Sequence, residues 1–258
     1  MLGTIQTLYN YPIKGLTAQQ VGEAKLLTGE GFPLDRIFGF ARYDSGFDPK
    51  SPEPLPKDRF LVLVKEERLA GLQSTFNPET MQLKLAVQGR VVFEDDLSKE
   101  KGVRRSIDFF STMFDLNEDK RPIFASSGAH RFTDVSVVSK ELMNAISLIN
   151  LDSVRDFANK IQADIDPIRF RANIYFDGWP PFSELELIGR EFTIGSVRMK
   201  GSMRTRRCAA TEVNPVTTKR DIPIPRLIKQ HYDHADMGFY AEVLSPGTIR
   251  PGDRISTE

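Results

Sequence analysis

The sequence feature that most constrains the fold is a succession of short β-type runs separated by turn residues. In the first half of the chain these runs are Thr4 to Leu8, Gln20 to Leu27, Phe38 to Ala41, Phe60 to Val64, Gln82 to Val87 and Arg90 to Phe93. Glycine, proline or asparagine separates most of them, a pattern that is typical of small antiparallel barrels and sandwiches. The first half is therefore predicted to be a β-rich module.

The rest of the pattern combines further strands with a few helices. The later predicted strands are Val135 to Val138, Ala172 to Phe176, Glu186 to Ile188, Glu191 to Ile194, Val197 to Met199, Glu212 to Val213 and Phe239 to Leu244. Apolar residues at helical spacing predict helices over Val103 to Phe114, over Lys140 to Asn150 with Ser139 at its start, and over Asp152 to Gln162. The predicted fold class is mixed α+β, predominantly β.

Charged stretches on both sides of the first predicted helix mark a domain boundary. Residues Glu94 to Gly102 precede this helix, and Asn117 to Arg121 follow it. A chain of 258 residues with 40% apolar residues can fill two small cores. We therefore predict two domains, residues 1–120 and residues 121–258. The segment Gly46 to Pro56, which contains four prolines, is predicted to be a mobile loop.

The charge balance and the cysteine count exclude several classes of function. Lys plus Arg and Asp plus Glu both number 35, so no bulk field favours nucleic acid or an anionic membrane. A single cysteine cannot form an internal disulfide, or a zinc site or iron-sulfur cluster that needs several thiolates. No stretch approaches the roughly 20 apolar residues of a membrane span, and the N-terminus lacks a signal-peptide pattern. We expect a soluble, cytoplasmic protein that binds neither nucleic acid nor membrane.

The densest chemical signal is the segment Arg204-Thr205-Arg206-Arg207-Cys208, which places three guanidinium groups within four residues of the single thiol. A nearby positive field favours the thiolate over the thiol. The segment could therefore bind an anion on the arginines and a soft metal or sulfur atom on the thiolate. It could equally be a solvated basic turn beside a buried, inert cysteine.

Two other regions place isolated polar side chains next to predicted strands. Lys14 lies in a turn after the first strand, and Arg36 directly precedes another. Alternation in Phe170 to Ile174 predicts that Arg171 and Asn173 project from the same face of a strand. Each of these features alone is more typical of an exposed surface.

A cluster of histidines and aspartates suggests a second kind of site. His231 and His234 could bind a metal together with Asp233 and Asp236 if the segment were helical, because residues three apart share a face. The flanking proline and glycine favour a polar connection instead. A triad of Cys208 with a histidine and a carboxylate has residues available, but no spacing indicates that they are close.

Five segments, in order and spacing, resemble those of the MOSC family, which is named for the C-terminal domain of molybdenum cofactor sulfurases. They are Tyr11-Pro12-Ile13-Lys14, Asp35-Arg36, Phe170-Arg171-Ala172-Asn173-Ile174, Arg207-Cys208-Ala209-Ala210-Thr211-Glu212-Val213-Asn214-Pro215 and Pro246-Gly247-Thr248-Ile249-Arg250-Pro251-Gly252-Asp253. The arrangement is most similar to the amidoxime-reducing components and their bacterial relatives. The resemblance covers nearly the whole chain. It implies a MOSC-type β-barrel domain packed on an N-terminal β-barrel-like domain.

The resemblance also implies which residues hold a cofactor. Cys208 matches the cysteine that supplies the protein sulfur ligand to molybdenum, and it is the catalytic position. The positions that resemble those holding the pterin and its phosphate are Lys14, Arg36, Ser139, Arg171, Asn173 and Arg207. Arg206 stands where near relatives have a small residue and adds a cation to this cofactor-binding set. The implied cofactor, molybdenum bound by molybdopterin, is an anionic phosphate on a soft dithiolene, which calls for guanidinium groups and a thiolate.

Two departures from the family pattern affect the expected site. Gly15 stands where many relatives have a serine after the lysine, which removes one hydrogen bond to the phosphate. Thr218 stands where the turn after Asn214 often ends in glycine, so the loop after Cys208 is expected to differ in shape.

The function implied by the resemblance is two-electron reduction of N-hydroxylated or N-oxide small molecules, with molybdenum cycling between Mo(IV) and Mo(VI). A separate electron-donor protein is expected, such as a ferredoxin-like protein, a cytochrome or a flavin reductase, because the chain has no dinucleotide-binding fingerprint. Two alternatives remain. Cys208 could carry a persulfide for sulfur transfer, or the protein could bind or handle the molybdenum cofactor without turnover. Binding of pyridoxal phosphate is not expected.

Overall fold

The computed structural model describes residues 1–128 and 130–257. Its strands are β1 (Leu2–Asn10), β2 (Gln19–Val21), β3 (Ala24–Leu26), β4 (Phe38–Ala41), β5 (Gln73–Asn77), β6 (Gln82–Val87), β7 (Arg90–Asp96), β8 (Ile123–Ser126), β9 (Ile146–Asn150), β10 (Ile174–Asp177), β11 (Glu191–Ile194), β12 (Val197–Arg206), β13 (Asp236–Val243), β14 (Gly247–Ile249) and β15 (Arg254–Ser256). Its α-helices are α1 (Glu100–Met113), α2 (Lys140–Met143), α3 (Leu151–Ile161) and α4 (Ile224–Tyr232). Short 3₁₀-helices cover Lys57–Arg59, Glu67–Gly71, Glu118–Lys120, Pro167–Phe170, Ser183–Leu187 and Ala209–Glu212. With 24% of residues in helices and 32% in strands, the fold is mixed α+β and predominantly β, which confirms the predicted class.

Seven of the described strands form a closed barrel. Their order is β10-β9-β13-β12-β11-β15-β1, and antiparallel pairing of β1 with β10 closes the ring. All neighbours are antiparallel except β9 and β10. Closure pairs the backbone groups that an open sheet would leave exposed at its edges. The barrel therefore gives the site a rigid wall.

The interior of the barrel is an apolar core drawn from both ends of the chain. Its fully buried members include Ile5, Leu8, Leu148, Phe176, Ile194, Met199, Phe239 and Ile255. These residues lie on strands in which every second side chain faces inward. The first strand of the chain thus contributes directly to the core of the second half.

A second module packs around its own core. β5, β6 and β7 form an antiparallel sheet, β4 pairs with β8, and α1 packs against β7. The rings of Phe40 and Phe110, from β4 and α1, have centroids 4.3 Å apart. The apolar stripe that predicts a helix over Val103 to Phe114 is confirmed, and the helix begins three residues earlier, at Glu100.

The two halves of the chain interlock. β1 belongs to the barrel, and β3 pairs with β14, although both strands precede residue 120. β4 and β8 pair across the same position in the sequence. The domain boundary near residue 120 stays a prediction, and the interlocked strands bring residues from both halves to one cavity.

Several local predictions are wrong, and in each case a turn or a buried strand replaces the predicted element. In the segment Phe60 to Val64, Phe60 forms a single β-bridge with Ala41, and Leu63 and Val64 lie in a turn. Val135 to Val138 lie in a turn. The predicted helix from Lys140 to Asn150 is divided into α2 and β9. Every residue of β9 is buried, and a short run of buried apolar residues fits a helix and a strand equally well.

Other elements have no clear periodic signal. Glu186 to Ile188 and Glu212 to Val213 lie in or next to 3₁₀-helices rather than strands, and β5 and α4 are additional elements. The predicted polar connection at His231 is wrong, because His231 lies in α4. His234 follows the helix, and its Nδ1 accepts a hydrogen bond from the Asp236 N–H. In the described part of the chain, no helix has the length and apolar character needed to cross a lipid bilayer.

Candidate functional site

A cavity of about 280 Å³ lies between residues of the two halves and contains the single cysteine, Cys208. The cationic side chains lining it are Lys14, Arg36, Lys57, Arg169, Arg171, Arg204, Arg206 and Arg207. Among the described residues, the anionic side chains lining it are Asp35 and Asp134. The chain as a whole has no net charge, so the positive charge is concentrated around the thiol.

An ion pair between Lys14 and Asp134 forms one wall of the cavity. Lys14 Nζ donates to Asp134 Oδ1 at 2.5 Å and lies 5.5 Å from the centre of the Phe60 ring. Lys57 Nζ is 3.7 Å from the other carboxylate oxygen. Burial lowers the pKa of Lys14, whereas the two ammonium groups outweigh burial and hold the pKa of Asp134 well below its usual value. One carboxylate is therefore shared by two cations.

A second wall is built on the ring of Tyr11. The guanidinium carbons of Arg36 and Arg171 lie 4.3 Å and 4.6 Å from the centre of this ring. Arg36 Nη1 donates to Asp35 Oδ2 at 2.5 Å, and Nη2 donates to the Arg171 carbonyl at 3.0 Å. Arg36 and Arg171 have φ angles of +48° and +54°, a left-handed conformation that non-glycine residues rarely adopt. The fold thus places two cations side by side in an unfavourable backbone geometry.

Among residues 1–128 and 130–257, the guanidinium group of Arg171 donates no hydrogen bond and forms no ion pair. Burial lowers its pKa, and the neighbouring Arg36 lowers it further, although the phenol of Tyr11 acts in the opposite direction. A desolvated cation without a hydrogen-bonded partner is unfavourable. An anionic ligand at this point of the cavity would supply the missing partner.

Arg207 uses its donors on backbone carbonyls. Its Nε donates to the Met237 carbonyl and its Nη1 to the Phe170 carbonyl, each at 2.8 Å, and its Nη2 also donates to Met237. Carbonyl groups do not neutralise the charge, and burial lowers the pKa of Arg207. Arg207 therefore fixes the chain just before the thiol and remains a cation in the cavity.

Cys208 lies at the start of the 3₁₀-helix Ala209–Glu212 and is half-buried. Its carbonyl accepts hydrogen bonds from the Thr211 N–H at 3.0 Å and the Thr211 hydroxyl at 2.9 Å. Lys57, from the other half of the chain, lines the same cavity as the Cys208 sulfur. Burial opposes the charge of Lys57, but Asp134 and Cys208 together raise its pKa. The sulfur thus faces a cation in a partly open cavity.

The side chain of Asn173 makes four hydrogen bonds to other described residues. Its Oδ1 accepts from the Ser147 N–H at 3.1 Å and from the Ser147 hydroxyl at 2.8 Å. Its Nδ2 donates to Asp35 Oδ1 at 2.9 Å and to the Tyr9 carbonyl at 3.2 Å. These contacts connect strands of the barrel to the Asp35 carboxylate that pairs with Arg36. Asn173 thereby orders the arginine side of the cavity.

The prediction that Arg171 and Asn173 share one face of a strand is wrong in its geometry. β10 begins at Ile174, and Arg171 follows the 3₁₀-helix Pro167–Phe170 in a left-handed conformation. Because the chain reverses direction at Arg171, alternation does not extend through this segment. Both side chains nevertheless line the cavity.

The remaining predicted cofactor-binding residues lie in different places. Ser139 is outside the residues that line the cavity, and its Oγ caps α2 by accepting the Leu142 N–H at 3.1 Å. Arg206 lines the cavity with an exposed side chain. Arg204 is also exposed there, and its Nε donates to the Leu185 carbonyl at 3.1 Å.

Both departures from the family pattern have a structural setting. Gly15 has a φ of +88°, and a Cβ atom there would lie 2.3 Å from the carbonyl oxygen of Leu61. A serine therefore cannot replace Gly15 without movement of the chain. Thr218 has a φ of +61°, so this loop keeps the left-handed conformation that glycine usually supplies.

The ionisable residues that line the cavity and that the sequence interpretation missed are Lys57, Asp134, Arg169 and Tyr240. Arg169 is buried and pairs with both carboxylate oxygens of Asp221 at 2.8 and 2.9 Å. Lys57 directly follows the proline-rich loop, and no spacing relates it to Cys208. Its position depends on tertiary packing, for which this sequence alone carries no signal.

The arrangement suits an anionic ligand with a soft centre. Among the described residues, the Arg171 guanidinium has no hydrogen-bonded partner. The lining carries a large excess of cations, and a half-buried thiol is present in the same cavity. Guanidinium groups bind phosphate oxygens, and thiolate binds soft metals. The residues present therefore fit a phosphate-bearing cofactor whose metal takes a sulfur ligand.

Family comparisons cover almost the whole chain. The model of the MOSC domain matches residues 128–256, and the model of the MOSC N-terminal beta barrel domain matches residues 2–122. Mitochondrial amidoxime-reducing component 1 of Xenopus laevis is 22% identical over 287 residues, covering 98% of this chain and 82% of the relative.

Two bacterial proteins of solved structure match this chain at low similarity. The YuaD protein from Bacillus subtilis matches with a TM-score of 0.44 and 14% identity, covering 99% of this chain and 94% of that protein. YiiM from Geobacillus stearothermophilus matches with a TM-score of 0.35 and 18% identity, covering 44% of this chain and 54% of that protein.

Proposed function

Because the chain belongs to the MOSC domain family, we propose that it is a molybdenum-cofactor-dependent oxidoreductase that reduces N-hydroxylated or N-oxide small molecules. Membership of the family supports a function related to the molybdenum cofactor. The name of the Xenopus laevis relative refers to amidoxime reduction, which favours this substrate class over others.

The observation that carries the proposal is that one cation-rich cavity contains the Cys208 thiol and the Arg171 guanidinium, which has no hydrogen-bonded partner in the described part of the chain. An inert buried cysteine would not require a desolvated arginine beside it. A solvated basic turn would not place that arginine against Tyr11 in a left-handed conformation.

Cys208 would hold the metal of the cofactor, and the buried cations would hold its anionic part. These cations are Lys14, Arg36, Arg171 and Arg207. Asn173 would act through its hydrogen bond to Asp35, which fixes Arg36, and Ser139 through the cap of α2. When bound, the cofactor supplies two-electron redox chemistry that the side chains of this protein lack.

The reaction consumes two electrons and two protons for each N–O bond that is broken, and it releases the oxygen as water. Among the described residues, none of the lining side chains is a redox centre, and a single thiol cannot form a disulfide within the chain. We therefore include a separate electron-donor protein in the proposal. The protein's own residues bind and orient the reactants in a cavity with restricted access to water.

A second candidate function is sulfur transfer through a persulfide on Cys208. The presence of Lys57 in the same cavity as the thiol favours it, because a neighbouring cation stabilises an anionic sulfur. Mass spectrometry of the purified protein distinguishes the two functions. A stable mass increase of one sulfur atom on Cys208 in a protein free of molybdenum would favour the carrier.

The direct test of the proposed activity is turnover of benzamidoxime by the cofactor-loaded protein, first with reduced viologen and then with NADH alone. Benzamidine should form with viologen and not with NADH, because the chain has no dinucleotide fingerprint. Rapid turnover with NADH would contradict the need for a donor. Absence of turnover with either reductant would contradict the proposed reductase.

A further inference from the structure

The cations of the cavity form a buried set and an exposed set. The side chains of Lys14 and Arg36 are 3% and 16% exposed, whereas that of Lys57 is 35% exposed. Arg204 and Arg206 are exposed as well. We call Lys57, Arg204 and Arg206 the rim cations, because they line the cavity while remaining open to solvent.

The rim cations have little negative charge of their own. Arg204 donates to a backbone carbonyl, and the Arg206 side chain has no hydrogen-bonded or ion-paired partner among the described residues. Lys57 lies 3.7 Å from Asp134, but that carboxylate already accepts a 2.5 Å hydrogen bond from Lys14. The rim therefore keeps most of its positive charge.

The position of the rim cations directs this charge at the thiol. Arg204 and Arg206 are both exposed and both line the cavity, and the pairing of β12 with β13 is irregular between them. β12 ends at Arg206, two residues before Cys208. Lys57, from the other half of the chain, lines the same cavity as Cys208. Charges at the mouth of a cleft concentrate ligands of opposite sign.

We propose that the rim cations select small-molecule substrates that carry an anionic group, such as a carboxylate, next to the N-hydroxylated group. This inference rests on the proposed function. A bound cofactor would balance the charge of the buried cations and would leave the rim cations available to the substrate. A neutral substrate makes no use of them, and a cationic substrate is repelled.

The first test compares two substrates that differ in charge, benzamidoxime and its 4-carboxylate, with the same reduced viologen. At low salt, kcat/KM for the carboxylate should be higher by about tenfold, the lower end of the range for electrostatic focusing. High salt should bring the two values together. Arg204→Gln and Arg206→Gln should each lower the ratio, whereas Arg90→Gln, an exposed arginine on β7, should not. A ratio of one or less at low salt would overturn the proposal.

The second test needs neither cofactor nor turnover. Cys208 is the single cysteine, so its alkylation by anionic iodoacetate and by neutral iodoacetamide can be followed in the intact, cofactor-free chain. The rate ratio of iodoacetate to iodoacetamide should exceed that of a free cysteine by about tenfold, and Arg206→Gln should lower it. A ratio equal to that of free cysteine would overturn the proposal.

The two tests separate failure of this inference from failure of the proposed function. If neither substrate is reduced but the alkylation ratio is high and depends on Arg206, the proposed reductase activity is wrong. The selection of anionic molecules by the rim cations is then still supported. If both substrates are reduced equally at every salt concentration, the reductase stands and the anionic substrate class is overturned. The rim cations would then be assigned to docking of an acidic electron-donor protein.

Discussion

At the scale of single residues, the cavity depends on cations held at a cost in free energy. Arg36 and Arg171 both adopt left-handed backbone conformations, and both lie against one tyrosine ring. Asp35 balances Arg36, but the described residues offer no such partner to Arg171. Strained and desolvated groups of this kind persist at sites where ligand binding offsets their unfavourable free energy.

Replacement of Arg171 separates this role from a structural one. Because burial lowers its pKa, the charged form is disfavoured in the folded protein, and Arg171→Met should raise the stability of the cofactor-free protein by about 1 kcal/mol. The same variant should lose cofactor affinity by about 2 to 5 kcal/mol, the range for removal of one partner of a desolvated charge pair. Urea unfolding and pterin content measure the two effects.

Arg204→Met is the matched control, because Arg204 lines the same cavity but is exposed. It should leave cofactor content close to that of the natural protein. A loss of stability in Arg171→Met together with full cofactor content would show that Arg171 supports the fold and does not bind the phosphate.

The chemistry of individual residues was partly visible in the sequence. The Arg-rich segment ending at Cys208 identified the thiol, and the resemblance identified Arg171 and Arg207. Lys57 and Asp134 were not identified, because they reach the cavity through turns that have no periodic pattern. The role of Asn173 was also only partly predicted, since its four hydrogen bonds depend on strands that are distant in sequence.

At the scale of elements, Arg220 connects the loop that follows Cys208 to the first half of the chain. Its Nη1 donates to the Ala209 carbonyl at 2.5 Å, and its Nη2 donates to the Val64 carbonyl at 2.9 Å. Its Nε donates to Glu67 Oε1 at 3.2 Å. The guanidinium group therefore holds the residue after Cys208 against the opposite wall of the cavity.

Arg220→Ala should destabilise the protein by about 2 to 3 kcal/mol, because backbone carbonyls lose charged hydrogen-bond donors. Arg121→Ala is a suitable control, because the side chains of Arg121 and Arg220 are similarly exposed, at 26% and 28%. Arg121 pairs with Asp108 and Glu118, which are far from the thiol in sequence. Arg121→Ala should cost about 1 kcal/mol or less. Thermal unfolding measures both losses, and equal losses would contradict the connecting role.

The contact between the 3₁₀-helix Ser183–Leu187 and α3 should make stability depend on pH. Glu184 is fully buried, and Ser153 and Asn150 donate hydrogen bonds to it. Burial outweighs these donors and raises its pKa from 4.5 to about 7. Between these values the folded protein retains a proton that the unfolded chain releases, so the contribution of Glu184 to stability falls as pH rises from about 4.5 to 7.

Glu184→Gln should remove this pH-dependent component. Urea unfolding of the natural protein and the variant at several pH values between 5 and 8 measures the slope, which is independent of any constant loss of hydrogen bonds. Glu186→Gln, on an exposed residue of the same 3₁₀-helix, is the control. An unchanged slope in Glu184→Gln would show that another group titrates.

Strands in which apolar and polar residues alternate were predicted with the correct bounds, whereas the fully buried strand β9 was not predicted. β6 and β11 have the predicted bounds, because alternation and turn residues define them. β4 also has its predicted bounds, although all four of its residues are buried. β9 was assigned to a helix because all five of its residues are buried in the closed barrel. Closure itself follows from the pairing of β1 with β10, a contact between the two halves that no local pattern specifies.

At the scale of the whole molecule, the structure joins two halves around one charged cavity. The chain has no net charge, yet its lining cations outnumber its lining carboxylates by a wide margin in the described part of the chain. Such segregation of charge opposes folding of the empty site and favours an anionic ligand. The central claim is therefore that this cavity holds a molybdenum cofactor through Cys208.

The most direct measurement of this claim is the molybdenum and pterin content of the protein purified from a host that makes the cofactor. About one molybdenum and one pterin per chain are expected in the natural protein. Cys208→Ala should lose most of the molybdenum, since the chain has no second thiolate to replace the soft ligand, while keeping its thermal stability in the cofactor-free form. A natural protein free of molybdenum, or a Cys208→Ala variant with full molybdenum content, would contradict the claim.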